Sequence, residues 1–208
     1  MTYTYLALGD SYTIGEQVIL SESFPCQVVQ QLRLNQTANV SFVAPEIIAK
    51  TGWSTDELNG AITNTIFLKK YDVVSLLIGV NNQYRGRSAS EFETEFTLLL
   101  EKAFEFAGDN HKRVFVLSIP DWGVTPFAEG RERHKIASEI DRFNNVCKRV
   151  SETFRATYID ITTLQRIDGA KSDFLAPDGL HPSGKEYTKW AEKLQLAIRS
   201  NLFESHFP

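Results

Sequence analysis

Sulfur is scarce in this 208-residue chain: two cysteines, Cys26 and Cys147, and a single methionine. Two thiols are too few for a disulfide framework, and both fall in helix-like segments, where small buried thiols are expected. No stretch approaches the roughly 18 consecutive apolar residues of a membrane span, so no membrane insertion is expected. Basic charge is not in excess either, with 22 Lys and Arg against 26 Asp and Glu and a net charge of −4. A partner made of nucleic acid would call for a basic patch or run, and none is visible. No group of His, Cys, Asp and Glu has metal-ligand spacing, and neither a metal nor a cofactor is expected. Met1-Thr2-Tyr3-Thr4 places no basic region before its short apolar run, which predicts a cytoplasmic chain without a signal peptide. The pentapeptide Gly-x-Ser-x-Gly is absent, which argues against a lipase with its nucleophile on a mid-chain elbow.

What the chain does contain is a regular alternation of strand-like and helix-like segments. Its 42% hydrophobic and 23% charged residues suit a soluble globular protein. At this length one domain, residues 1–208, is expected, burying roughly 70% of the surface of the unfolded chain. Strands are predicted at Tyr5–Leu8, within Val40–Ile48, and at Asp72–Ile78, Arg113–Ile119 and Thr157–Ile161. Helices are predicted at Phe24–Leu34 with Ser23 as N-cap, from the capping box Ser54-Thr55-Asp56-Glu57 to about Phe67, at Ser88–Ala107, at Arg131–Phe154, and from Pro182 to about Leu202. Such spacing implies βαβ units, a five-stranded parallel sheet and a three-layer α/β/α sandwich.

The polar residues that follow the strands carry the chemistry. Gly9-Asp10-Ser11-Tyr12 delivers a serine directly off the first strand. In an open parallel sheet, ligands bind beyond the carboxyl ends of the strands, and Gly52, Asn81, Asp178 and His181 follow strands two, three and five. Serine is a weak nucleophile that needs an adjacent base. His181 is the candidate base and general acid, and Asp178, three residues earlier across Gly179, is the candidate that orients its ring. An oxyanion needs preorganised donors, for which the candidates are the Ser11 and Gly52 backbone N–H groups and the Asn81 side-chain amide. Pro182 is expected to open the last helix and stiffen His181.

These four blocks, Gly-Asp-Ser-Tyr, Thr-Gly-Trp-Ser, Gly-Val-Asn-Asn and Asp-Gly-Leu-His-Pro, resemble in residue and order the SGNH (GDSL-type) hydrolase superfamily of esterases, lipases and acylhydrolases. The resemblance spans nearly the whole chain. It implies a flavodoxin-like sheet, no metal, and an ester or thioester substrate cleaved through an acyl-enzyme intermediate. One block departs from the usual Gly-x-Asn-Asp, because position 82 is asparagine; Asn82→Asp is expected to be tolerated. A carbohydrate O-acetyl esterase, a lysophospholipase and a thioesterase of the same superfamily are alternatives, as is a flavodoxin-like binding module without activity.

Asp10 is read as a structural brace of the serine loop. His111, His134 and His206 are expected on the solvated surface. Tyr12, Trp53, Tyr84, Trp122 and Phe174 lie in segments that border the site. The connections at that edge are short apart from Ile119–Gly130, and no groove for a long acyl chain is legible. Soluble acetyl to butyryl esters are therefore the expected small-molecule partners. The sequence does not specify an oligomeric state.

Overall fold

The structure is a computed structural model and describes residues 1–34 and 41–203. Its chain order begins with β1 (Thr2–Tyr3), β2 (Tyr5–Gly9), α1 (Ser11–Ile14), α2 (Phe24–Leu34), β3 (Ser41–Phe42) and β4 (Glu46–Ala49). It continues with α3 (Thr55–Thr63), β5 (Val73–Leu77), α4 (Val80–Tyr84), α5 (Ala89–Phe106) and β6 (Val114–Leu117). α6 (Arg133–Phe154), β7 (Thr157–Ile159), α7 (Thr162–Asp168) and α8 (Gly184–Leu202) complete it.

Five strands form one parallel sheet in the order β4-β2-β5-β6-β7. β1 and β3 form a separate two-stranded parallel ribbon. Every residue of β2, β5 and β6 is buried, as continuous apolar strands covered on both faces require. α2 packs with α8 on one side, while α5 packs with α3 and α6 on the other. This is the expected α/β/α sandwich with the flavodoxin-like strand order. Aromatic side chains fill both layers: Phe24, Tyr187 and Trp190 lie under α2 and α8, and Phe92 and Phe143 pack between α5 and α6. Burial of each large side chain contributes about 1.5–3 kcal/mol.

The chain leaves β2 toward β4 on one side, and all later crossovers run the other way. A crevice therefore opens at the carboxyl ends of β2 and β5, the switch point where ligands bind in such sheets. Ser11 follows β2 there and Asn81 follows β5.

Several predicted boundaries shift. The second predicted strand resolves into β3 and β4, and its first residue, Val40, lies outside the described residues. α3 stops at Thr63 rather than Phe67, because Thr63, Asn64 and Thr65 turn their side chains onto the carbonyls of Asn59, Gly60 and Ala61. Side chains of this kind compete with helix continuation. Ser23 accepts the first helical N–H, from Gln27, with its carbonyl. Its hydroxyl instead donates to Leu20 O, 2.8 Å away. Pro182 does not open the last helix; it forms an antiparallel bridge with Leu175, and α8 begins two residues later. α1, α4 and α7 were not predicted.

Candidate active site

Glycine at position 9 lets the end of β2 lie tightly against Thr13 and the Leu77 carbonyl. A Cβ there would lie 2.1 Å from Thr13 Oγ1 and 2.5 Å from Leu77 O. Asp10 caps the turn of helix that follows, its Oδ1 accepting the Tyr12 N–H at 3.0 Å. Ser11 is the first residue of α1 and nearly buried. Asp10 is completely buried and its Oδ2 has no hydrogen-bond partner among the described residues. Burial pushes its carboxyl up to about 7, against the opposing pull of the Tyr12 N–H. It braces the loop, as the sequence suggested.

The second half of the site is the loop before α8. Asp178 Oδ1 accepts the backbone N–H groups of Leu180 and His181, each at 3.0 Å. Its Oδ2 lies 2.6 Å from His181 Nδ1. Gly179 adopts φ +67° in this turn. Burial opposes the charge on Asp178, yet the His181 ring and the two N–H groups outweigh it and hold the carboxyl below its ordinary value. Backbone bonds from Ala176 N to His181 O (2.8 Å) and from Ser183 N to Phe174 O (3.0 Å) secure the loop. These, with the Leu175–Pro182 bridge, supply the stiffness expected of a helix start. The His181 ring lies 5.4 Å from that of Tyr12, centroid to centroid.

Gly52 sits in a turn with φ +84°, just before the capping box of α3, which forms as predicted. Asn81 is on α4, its Nδ2 donating to Trp53 O at 2.9 Å. A primary amide has two such hydrogens, so one remains for another acceptor.

Ser11, Gly52, Asn81 and His181 all line one cavity of about 200 Å³, and Asp178 stands behind His181. Tyr12, Tyr84 and Trp122 also line it, as their sequence positions suggested. Trp53 and Phe174 do not: Trp53 packs on the core, and Phe174 lies under the Lys189 ammonium at 4.3 Å. Thr51, Val80 and Leu180, neighbours of the polar residues in the recognised blocks, and Phe127 complete the lining; the sequence singles out none of the four as a wall residue. Phe127 comes from the Ile119–Gly130 connection, which coils into two short 3₁₀ turns. The Trp122 indole N–H is anchored on Gln83 Oε1 at 2.8 Å. The Arg131 guanidinium sits 5.6 to 5.9 Å from the ring centres of Tyr84, Trp122 and Phe127. Cation–π attraction of this kind ties the wall together. His111 and His134 are exposed, as expected, and His206 lies outside the described residues.

Asn82 shows why asparagine suits this chain. It is completely buried. Oδ1 accepts Thr55 N–H at 3.1 Å and Nδ2 donates to Thr55 Oγ1 at 2.6 Å. The Thr55 hydroxyl donates onward to Glu95 Oε2, which is 3.5 Å from Asn82 Nδ2. An aspartate would lose the donor and set a second carboxylate against Glu95. The tolerance expected from sequence is therefore revised. Asn82→Asp should lower stability by about 1–3 kcal/mol. The loss should grow as pH rises, because the folded state favours a protonated carboxyl at this position and the unfolded chain does not. Melting temperatures of both proteins from pH 5 to pH 8 check this; a constant difference would contradict it.

Comparison with known proteins decides the class. The GDSL-like lipase/acylhydrolase family matches residues 7–189. The chain belongs to that family. It is thus an ester-cleaving hydrolase, which sets aside the inactive binding module. The spore germination lipase LipC of Bacillus licheniformis is 25% identical over 215 residues, covering 95% of this chain and 97% of that protein. Among solved structures, TesA superposes with a TM-score of 0.73 at 16% identity, covering 97% of this chain and 100% of that one. The acetylxylan esterase Axe2 of Geobacillus stearothermophilus gives 0.72 at 19% identity, covering 94% of each chain. At such identities these structures speak for the fold alone. Among the described residues, no helix is long and apolar enough to cross a membrane, and no group of three or more His, Cys, Asp or Glu side chains could hold a metal ion.

Proposed function

We propose that the chain is a serine esterase that hydrolyses short acyl esters of small, water-dissolved substrates through an acyl-enzyme intermediate. One observation carries the reading: Ser11, Gly52, Asn81 and the Asp178-bonded His181 share a single small cavity. With Nδ1–H donated to Asp178, His181 Nε2 holds the lone pair that accepts the Ser11 proton. Ser11 Oγ then attacks the carbonyl carbon, and the oxyanion receives hydrogen bonds from the Ser11 and Gly52 N–H groups and from the free N–H of Asn81. Collapse expels the alcohol, which takes its proton from His181. Water then repeats the sequence on the acyl-enzyme and releases the acid.

The walls support the preference for short chains. Val80, Phe127 and Leu180 join Tyr84 and Trp122, which the sequence had placed at the site, in an apolar surface. The cavity nevertheless measures about 200 Å³, below the roughly 300–1,000 Å³ of sites for drug-sized ligands. An acyl chain gains about 0.8 kcal/mol per methylene only while there is apolar room to receive it.

The test is a series of p-nitrophenyl esters from acetyl to palmitoyl. The highest kcat/KM is expected between acetyl and butyryl, with no jump in rate where the longer esters form micelles. A maximum at long chains, or a sharp rise at the micellar threshold, would make the protein a lipid-interface enzyme instead.

A further inference from the structure

We infer that Arg85 is a positioning residue that fixes the Gly52 loop for oxyanion binding; the inference rests on the assignment of Gly52 N–H and the Asn81 amide as oxyanion donors. The short helix α4 and its C-cap, Arg85, together hold four consecutive residues of that loop. Arg85 Nη2 donates to Gly52 O at 2.7 Å, and Nη1 reaches Ser54 Oγ at 3.1 Å and Glu57 Oε2 at 2.9 Å. Asn81 holds Trp53 O, and Asn82 holds both the N–H and the hydroxyl of Thr55. On the other side of Gly52, the Thr51 hydroxyl donates to the Glu16 carboxylate.

Gly52 is where restraint is most needed. A glycine samples both signs of φ freely, and here φ is +84°. Packing does not hold it: a Cβ built at Gly52 would find one atom within 4 Å, and that atom is Arg85 Nη2 at 4.0 Å. The conformation must therefore be kept by hydrogen bonds, and the Gly52 carbonyl has its bond from Arg85. Fixing that carbonyl limits rotation about Gly52 and so fixes the direction of the preceding N–H. The guanidinium fork makes three bonds at once, which an ammonium cannot reproduce. The same short helix presents Asn81 and, through Arg85, orients Gly52, so both donors share one rigid support.

The Arg85–Glu57 pair is solvated, with side-chain exposures of 42% and 41%, and such pairs contribute little to stability. Arg85→Met should therefore keep its melting temperature while kcat falls about 10- to 100-fold, since a small misplacement of a transition-state donor is costly. KM should stay within about twofold, the mark of an interaction made in the transition state. Arg85→Lys, with one donor able to reach Gly52 O, should recover part of the lost kcat. The double variant Asn81→Ala/Arg85→Met should lose less than the product of the single losses, because both act on one oxyanion. Parental kcat in Arg85→Met overturns the inference, as does a loss confined to KM or a loss of activity that merely follows a fall in melting temperature. Asn81→Ala separates the two layers of argument. If it lowers kcat by roughly 10²–10³ and Arg85→Met does not, the Arg85 inference alone fails; if it leaves kcat intact, the oxyanion assignment fails with it.

Discussion

Ser11→Ala should reduce turnover by roughly a millionfold, the scale seen when a nucleophile is removed from a serine hydrolase. Ser11 lines the cavity, and the bonds that shape α1 do not depend on its hydroxyl, so its removal leaves the packing there intact. Asp10 still caps the turn through Oδ1, and Gly9 still allows the close approach to Thr13. Loss of activity with an unchanged melting temperature is thus the expected pair of results. A fluorophosphonate should label the parent once per chain, and peptide mapping should place the adduct on Ser11. Some acceleration over water should persist in the variant, because the proposed oxyanion donors and substrate binding survive. Undiminished turnover in Ser11→Ala, or an adduct on another residue, would remove the serine mechanism.

The positions of Ser11, Gly52 and Asn81 were legible because each follows a segment whose own pattern announces a strand, and His181 because Asp178 precedes it by three residues across a glycine. Val73–Leu77 reads as a strand buried on both faces, and the structure buries all five residues. Alternation with helices then forces a parallel sheet, and the parallel sheet forces these loops to one edge. The capping box at Ser54 was equally plain, since it is written in four consecutive residues and needs no tertiary partner. The unread features depend on partners outside the local helix or strand pattern, some near in the chain and some far. Phe127 joins the cavity wall only because the Ile119–Gly130 connection coils back and Arg131 gathers three rings. Pro182 looked like a helix start, yet bridging to Leu175 holds it in extended backbone. Asn82 was judged from its block alone, whereas its meaning lies with Thr55 and Glu95. Arg85 carried no local signal at all; its significance is that it reaches back to Gly52, Ser54 and Glu57.

His181 and Asp178 should act as a unit, which makes a non-additive test decisive. His181→Ala removes the proposed base and should cost about as much as the loss of Ser11, whereas His111→Ala and His134→Ala, both on the exposed surface, should keep most activity. Asp178→Asn should lower kcat roughly 10⁴-fold. The asparagine still offers Oδ1 to the N–H groups of Leu180 and His181, so the loop keeps its shape. At the Oδ2 position, however, an amide would meet His181 Nδ1 at 2.6 Å. That contact favours the tautomer with its proton on Nε2, the nitrogen that must accept the serine proton. The double variant should be no worse than His181→Ala alone, because an orienting carboxylate has no purpose without a ring to orient. Hydrogen bonds from the His181 ring and two backbone N–H groups outweigh burial and hold Asp178 below its ordinary value, so it stays ionised, and able to hold the ring, as the solution is acidified. Parental activity in Asp178→Asn, multiplying losses in the double variant, or a large loss at His111 would each show that the base lies elsewhere.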